Sequence, residues 1–136
     1  MKSIILIAMM ILVQNNPIEH HKWSSRILIV SASSPSNVGY KRQNQILEKG
    51  KKGMKDRDLV IYRLYSDHWL DPKGKSLTAE QSKAIYQAYN IDEGTFSVTL
   101  IGKDGGVKMQ TDDLVSTREL FQLIDSMPMR QSEMKK

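Results

Sequence analysis

The chain contains no cysteine, and that one absence removes three chemistries together. Disulfides, thiolate metal sites and thiol redox catalysis each need sulfur as cross-link, ligand or nucleophile. It assigns no compartment, because an exported domain with an adequate core can do without disulfides. Long apolar runs are missing as well. The longest, Ile4 to Val13, has ten residues and would rise about 15 Å as a helix, roughly half the thickness of a bilayer core. There is no internal repeat, no low-complexity tract, no glycine-rich phosphate loop set between strand and helix, and no Ser, His, Asp order of the hydrolase kind.

What remains is the composition of an ordinary globular domain. At 136 residues, 40% hydrophobic and 26% charged, the chain can form one packed core and is too short for two. The formal charge of +5 is local: Lys41, Arg42, Lys49, Lys51, Lys52, Lys55 and Arg57 stand against Glu48 and Asp56 only, and the rest of the chain is neutral in sum. A basic patch therefore needs explaining, not a basic protein.

At the N-terminus, Lys2 precedes the apolar run and Gln14, Asn15 and Asn16 follow it. That layout is the layout of a signal peptide. Residues 1–16 are expected to direct export to a periplasmic or extracellular space, 17–22 to form a linker and 23–134 to form the domain. No A-x-A-like pair follows the run, so an uncleaved interfacial anchor is the alternative.

From Arg26 the elements follow closely. "RILIVSA" is a continuous apolar run, the pattern of a strand buried on both faces. After "SSPSN", Ser36 or Asn37 can cap a helix to about Lys49, with Val38, Ile46 and Leu47 as its apolar residues and Gly50 as its stop. "KGKKGMKDR" is expected as a solvated turn and "DLVIYRLY" as a second strand. "SDHWLDPKGKS" reads as a polar loop. Thr78 and Gln81 form a capping box for a helix with Leu77, Ala84, Ile85, Ala88 and Tyr89 on one face. "TFSVTLIG", "KDGG" and "VKMQ" read as strand, turn and edge strand, with Val107 and Met109 inward. Ser116 and Glu119 open a last helix with Leu120, Phe121, Ile124 and Met127 buried, closed by Pro128. The order β-α-β-α-β-β-α predicts an α/β fold of thioredoxin topology: a mixed four-stranded sheet with helices on both faces.

"HKWSSRILIVSA", "YKRQNQIL", "DRDLVIYRL", "FSVTLIGKDGGVK" and "LFQLIDSMPMRQSEM", in this order, resemble the domain-of-unknown-function family numbered 4174 over roughly Trp23 to Met134. The resemblance implies a thioredoxin-like and peroxiredoxin-like fold, with similar domains in extracellular proteins that carry sushi repeats. It implies export, and it leaves the molecular role open.

In redox-active thioredoxin-like proteins the reactive cysteine lies between the first strand and the next helix, where the helix N-terminus favours a thiolate. Here that segment is Ser33 to Asn37, and Thr95 stands roughly where the usual cis-proline would. A serine hydroxyl with no base beside it cannot replace the thiol. The same corner can instead offer Ser33, Ser34, Ser36 and Asn37 to an anion, or be a plain capped loop. A second set of polar residues falls where the family resemblance is strongest: Arg26, Gln43, Lys103, Asp104, Asp125, Arg130 and Glu133. They either pair among themselves or form a ligand-binding end of the sheet. The candidate ligand site is therefore Arg26, Ser33, Ser34, Asn37, Gln43, Lys103, Asp104 and Arg130, with Trp23 and Trp69 as possible contact anchors.

No cofactor or metal is expected. Asp67, His68 and Asp71 match no zinc spacing, and the adjacent His20 and His21 point apart on most backbones. The patch Lys41, Arg42, Lys49, Lys51, Lys52 and Lys55 can meet an anionic envelope surface, including a peripheral membrane contact. Nucleic acid is not expected, because no stacking aromatic lies between Tyr40 and Tyr62. The leading expectation is an exported, monomeric, non-redox domain that binds an unidentified protein or polysaccharide. Its rivals are an enzyme of non-thiol chemistry near Ser33 to Asn37 and a structural accessory bound through the basic patch.

Overall fold

The computed structural model describes residues 15–135. Most of the expected signal peptide, residues 1–14, lies outside them. The expected linker does not exist as such. Residues Pro17–His21 form a 3-10 helix, started by Pro17 and capped by Asn16, whose side chain accepts from the Ile18 N–H. Ile18 and Asn16 are both buried, and Asn16 Nδ2 donates to the Tyr89 hydroxyl (3.0 Å). Burial of Ile18 thus fastens this segment to the sheet.

Strand β1, Arg26–Ser31, is buried along its whole length, as its unbroken apolar run requires. Helix α1, Val38–Lys49, follows with Asn37 as its cap. Gly50 ends this helix and begins another. It is the C-cap of α1, as expected, its N–H donating to Leu47 C=O, but at φ −102° it is also the N-cap of a second helix, α2, Lys51–Asp56. The segment expected as a solvated turn is therefore helical, and Met54 is the residue it buries. Strand β2, Leu59–Leu64, runs parallel to β1, with Ile27 opposite Val60. Strand β3, Trp69–Leu70, adds two antiparallel residues to β2 where only loop was expected.

Helix α3, Ala79–Ala88, begins with the full Thr78–Gln81 capping box. Strands β4, Ser97–Ile101, and β5, Val107–Thr111, form the hairpin. Helix α4, Thr117–Asp125, ends before Pro128, which opens a further helix, α5, Pro128–Met134. Pro128 closes one helix and starts the next because its fixed φ suits a first helical position.

The sheet has five strands, not four, in the order β3-β2-β1-β4-β5. Leaving out the two-residue β3, the order and directions are those expected of the thioredoxin topology: β1 is central, parallel to β2 and antiparallel to β4. Leu28, Val30, Val98 and Leu100 pack on one face against Leu47, Met54, Leu120 and Ile124 of α1, α2 and α4. Ile27, Ile29, Tyr62 and Leu64 pack on the other against Ile18 and against Ile85 and Tyr86 of α3. Three residues expected on apolar faces lie outside the core: Val38 is 67% exposed, Val107 47%, and Ala88 is exposed as well. Val107 turns outward because the ladder between β4 and β5 slips at Leu100 and Ile101, which pair with Met109 and Val107. The extra residue, Lys108, is a bulge, and a bulge breaks the alternation of faces.

Candidate functional site

The predicted ligand residues do not converge. Arg26 opens β1 and Ser33 follows its far end, so the length of the strand, about 17 Å, separates the two groups. At the far end, the corner where redox relatives carry a thiol is occupied by its own hydrogen bonds. Asn37 Oδ1 accepts from the Tyr40 N–H (3.0 Å). The Ser34 and Ser36 hydroxyls bond each other (2.7 Å), and Ser33 C=O accepts from the Ser66 N–H (3.2 Å). Beneath them the Tyr65 hydroxyl donates to that of Tyr40 (2.7 Å), and burial first, then this bond, raises the Tyr65 pKa well above the ordinary phenol range.

Gln43 belongs to neither end. It is fully buried, and its amide donates to Val115 C=O (2.9 Å) and accepts from Val115 N–H (2.8 Å). It pins the approach to α4 onto α1.

At the near end Arg26, Lys103 and Arg130 do come together, joined by Arg57. Arg26, 1% exposed, holds both carboxylate oxygens of Glu133 (3.1 and 2.8 Å) and also donates to Arg57 C=O (2.9 Å). Lys103 Nζ bridges Asp58 (2.8 Å) and Glu133 (3.2 Å). Arg57 clamps Asp125 with two bonds (3.0 and 2.8 Å) and lies over the Phe121 ring at 4.1 Å. Arg130 donates to Asp125 (3.0 Å) and Asp56 (2.7 Å). Four cations meet four carboxylates, and α4 and α5 are tied to the sheet.

The bonds from Arg57 hold the Asp125 carboxyl below the usual carboxylate range, and those from Arg26 do the same for Glu133. Asp104, by contrast, shapes the hairpin turn. It accepts from Gly106 N–H (2.9 Å) and pairs with Lys108 (2.8 Å).

The sequence reading missed Asp56, Arg57 and Asp58 as partners in this cluster. The alternation Asp-Arg-Asp inside a basic stretch was the available clue. The six patch residues Lys41, Arg42, Lys49, Lys51, Lys52 and Lys55 are all exposed on α1 and α2. Between β2 and β3, Asp67 bonds His68 (2.7 Å). Asp71 spends one oxygen on the N–H groups of Lys73 and Lys75.

Beside the ion-pair cluster lies a groove of about 620 Å³, walled by Trp23, Met127, Pro128 and Met129 and by Lys103 and Lys108. Trp23 is 63% exposed and sits at φ 72°, a left-handed backbone that bulky residues rarely adopt. Its N–H donates to Lys103 C=O (2.6 Å), which anchors that turn against the hairpin.

Together these features define a thioredoxin-fold domain whose redox corner is built of serine and asparagine and whose buried charges are spent on its own architecture. The chain belongs to the family described as Domain of unknown function (DUF4174), matched over residues 17–133. The match starts at the 3-10 helix, in keeping with the burial of Ile18. The chain is 27% identical over 135 residues to Coiled-coil domain-containing protein 80 of Danio rerio, an alignment that takes in 88% of this chain and 16% of that protein. Among solved structures it is similar to the reduced 2-Cys peroxiredoxin of Plasmodium vivax, with a TM-score of 0.60, 13% identity, and coverage of 84% of this chain and 83% of that one. At that identity the likeness is one of fold.

Proposed function

We propose that this chain is an exported thioredoxin-fold module that works by binding a macromolecule and not by catalysis. The observation that carries the reading is Trp23: a large aromatic held in solvent, in a backbone conformation that costs of order 1–3 kcal/mol, at the mouth of a groove walled by methionines. Exposed tryptophans beside adaptable methionine surface have the composition of a contact anchor. The rival enzymatic reading needs Arg26 and Ser33 to Asn37 within reach of one substrate, and they stand at opposite ends of β1. Export rests on Lys2 and the apolar run from Ile4 to Val13. A second reading, contact with an anionic envelope surface, draws on the exposure of all six patch cations on α1 and α2.

One experiment tests site and compartment together. A photocrosslinking residue is placed in the native cell by Trp23→p-benzoylphenylalanine, with Val38→p-benzoylphenylalanine as the control. Adducts are expected from position 23 alone, in the exported fraction, on a chain whose mass lacks the apolar run Ile4 to Val13. Equal capture from both positions, or adducts confined to the cytosol, would overturn the proposal.

A further inference from the structure

Among the described residues, the side of strand β2 away from β1 is paired only at its end, where the two-residue β3 meets it. Arg26 N–H donates to Asp58 C=O (2.8 Å) and Ala32 N–H to Leu64 C=O (2.9 Å). Even-numbered residues of β2 thus turn their backbone groups toward β1, and by the period of two Leu59, Ile61 and Arg63 turn theirs away. Arg63 is met on that side by Leu70 of β3. Continuing the same register sets Pro72 opposite Ile61, and Pro72 has no N–H to donate. The chain instead folds back there, with Asp71 N–H bonded to Lys75 C=O (2.9 Å). Among the described residues, none bonds the N–H or C=O of Leu59 or Ile61.

A cleft of about 540 Å³ follows this edge, with Met54, Leu59 and Ile61 as its apolar floor and Lys51, Lys55 and Arg63 on its rim. Lys49 and Lys52 are exposed on the same helices, and Lys73 and Lys75 on the loop beyond Pro72. The nearby acids are already engaged: Glu48 with Lys51 (2.8 Å) and Asp58 with Lys103 (2.8 Å).

An open strand edge is a template for another strand. Its lysines repel a second copy of the same edge and attract an acidic chain.

We infer that the edge of β2 at Leu59–Ile61 takes up an extended acidic segment of a partner protein as an added strand. Leu59 and Ile61 supply two N–H donors and two C=O acceptors, which give affinity without regard to sequence. Specificity comes from the side chains. Successive residues of the added strand alternate between faces, so every second one projects onto the face where α2 carries Lys51 and Lys55. Acidic residues at alternate positions satisfy that face. This site is separate from the Trp23 groove and stands or falls without it.

The probe is a capped pentapeptide, acetyl-Glu-Val-Glu-Val-Glu-amide, titrated into the isotope-labelled protein while amide shifts and hydrogen exchange are followed. In the free protein the Leu59 and Ile61 amides are expected to exchange fast. With the peptide, their exchange is expected to slow by about tenfold or more. A version N-methylated at alternate amides, and a version with Lys in place of Glu, are expected to leave them unchanged. The double variant Lys51→Glu, Lys55→Glu is expected to weaken binding by about tenfold, whereas Trp23→Ala leaves it intact.

Three outcomes overturn the proposal. Shifts confined to the lysine side chains would mean charge contact without an added strand. Slow exchange of both amides in the free monomer would mean the edge is already covered. Protection that grows with protein concentration alone would make the occupant a second copy.

Discussion

Gln43 shows how a residue that reads as a ligand-binding group can serve structure instead. Its amide reproduces, for Val115, the pair of bonds that a neighbouring strand would make. The substitution Gln43→Leu keeps size and apolar fit but leaves the Val115 N–H and C=O buried without partners, at a cost of about 2–5 kcal/mol. Urea denaturation of the purified protein measures this; a residue that only touched ligand would leave the midpoint unmoved. Its role was not legible from sequence because the partner is 72 positions away, and only the packing of α1 beside the turn into α4 brings the two together. Asn37 was legible. A cap acts within its own first turn, so residue type and position suffice.

Among the elements, α2 is the one that sequence reasoning turned into a loop. Two glycines and a run of lysines argue against a helix, and intrinsic propensity ranks Gly near the bottom. Contact with α4 overrides that preference. A Cβ added at Gly53 would lie 2.5 and 2.8 Å from the Phe121 ring, and one at Gly50 would lie 2.6 Å from Thr117. Both glycines are there to let α2 approach α4.

A prediction of unusual sign follows for this helix. In an isolated helix Gly→Ala stabilises by about 1 kcal/mol, but Gly53→Ala here must displace a ring that is also clamped by Arg57. The clash costs about 1–3 kcal/mol, so the net outcome is a lowered Tm by calorimetry, with Lys52→Ala on the exposed face as the unaffected control. The capping boxes illustrate the reverse case. Thr78 and Gln81 satisfy each other in full. Ser116 caps Glu119 but donates its own hydroxyl to the Glu119 carboxylate (3.3 Å) in place of the reciprocal backbone bond.

Across the whole molecule, the ion-pair cluster is the fastening between the C-terminal helices and the sheet, and its acids decide the response to pH. Asp125 and Glu133 are held below their ordinary pKa by Arg57 and Arg26 respectively. In the unfolded chain they titrate near 4. Above that pH both states carry the charge and the stabilisation is complete. As pH falls from about 4 toward the lower folded values the unfolded chain takes up protons first, and stability declines. The expected thermal midpoint is therefore level above about pH 5 and drops steeply below about pH 4. Asp125→Asn is expected to lower the midpoint at pH 7 and flatten the acid limb, as measured by circular dichroism melts between pH 3 and 7.

Sequence alone determined the exclusion of thiol chemistry, the order of the four main strands and of the three longest helices, and most caps, because each depends on which atoms are present or on neighbours within one turn or one strand. Tertiary structure decided everything that requires two distant segments to meet. It split the candidate polar residues between two ends of β1, turned Arg26, Lys103 and Arg130 into a self-neutralised clasp, and placed Trp23 in the open. It also left Leu59 and Ile61 on an unpaired edge. Charge and hydrogen-bonding groups are properties of residues, but whether they are spent internally or left free is a property of what the fold sets beside them.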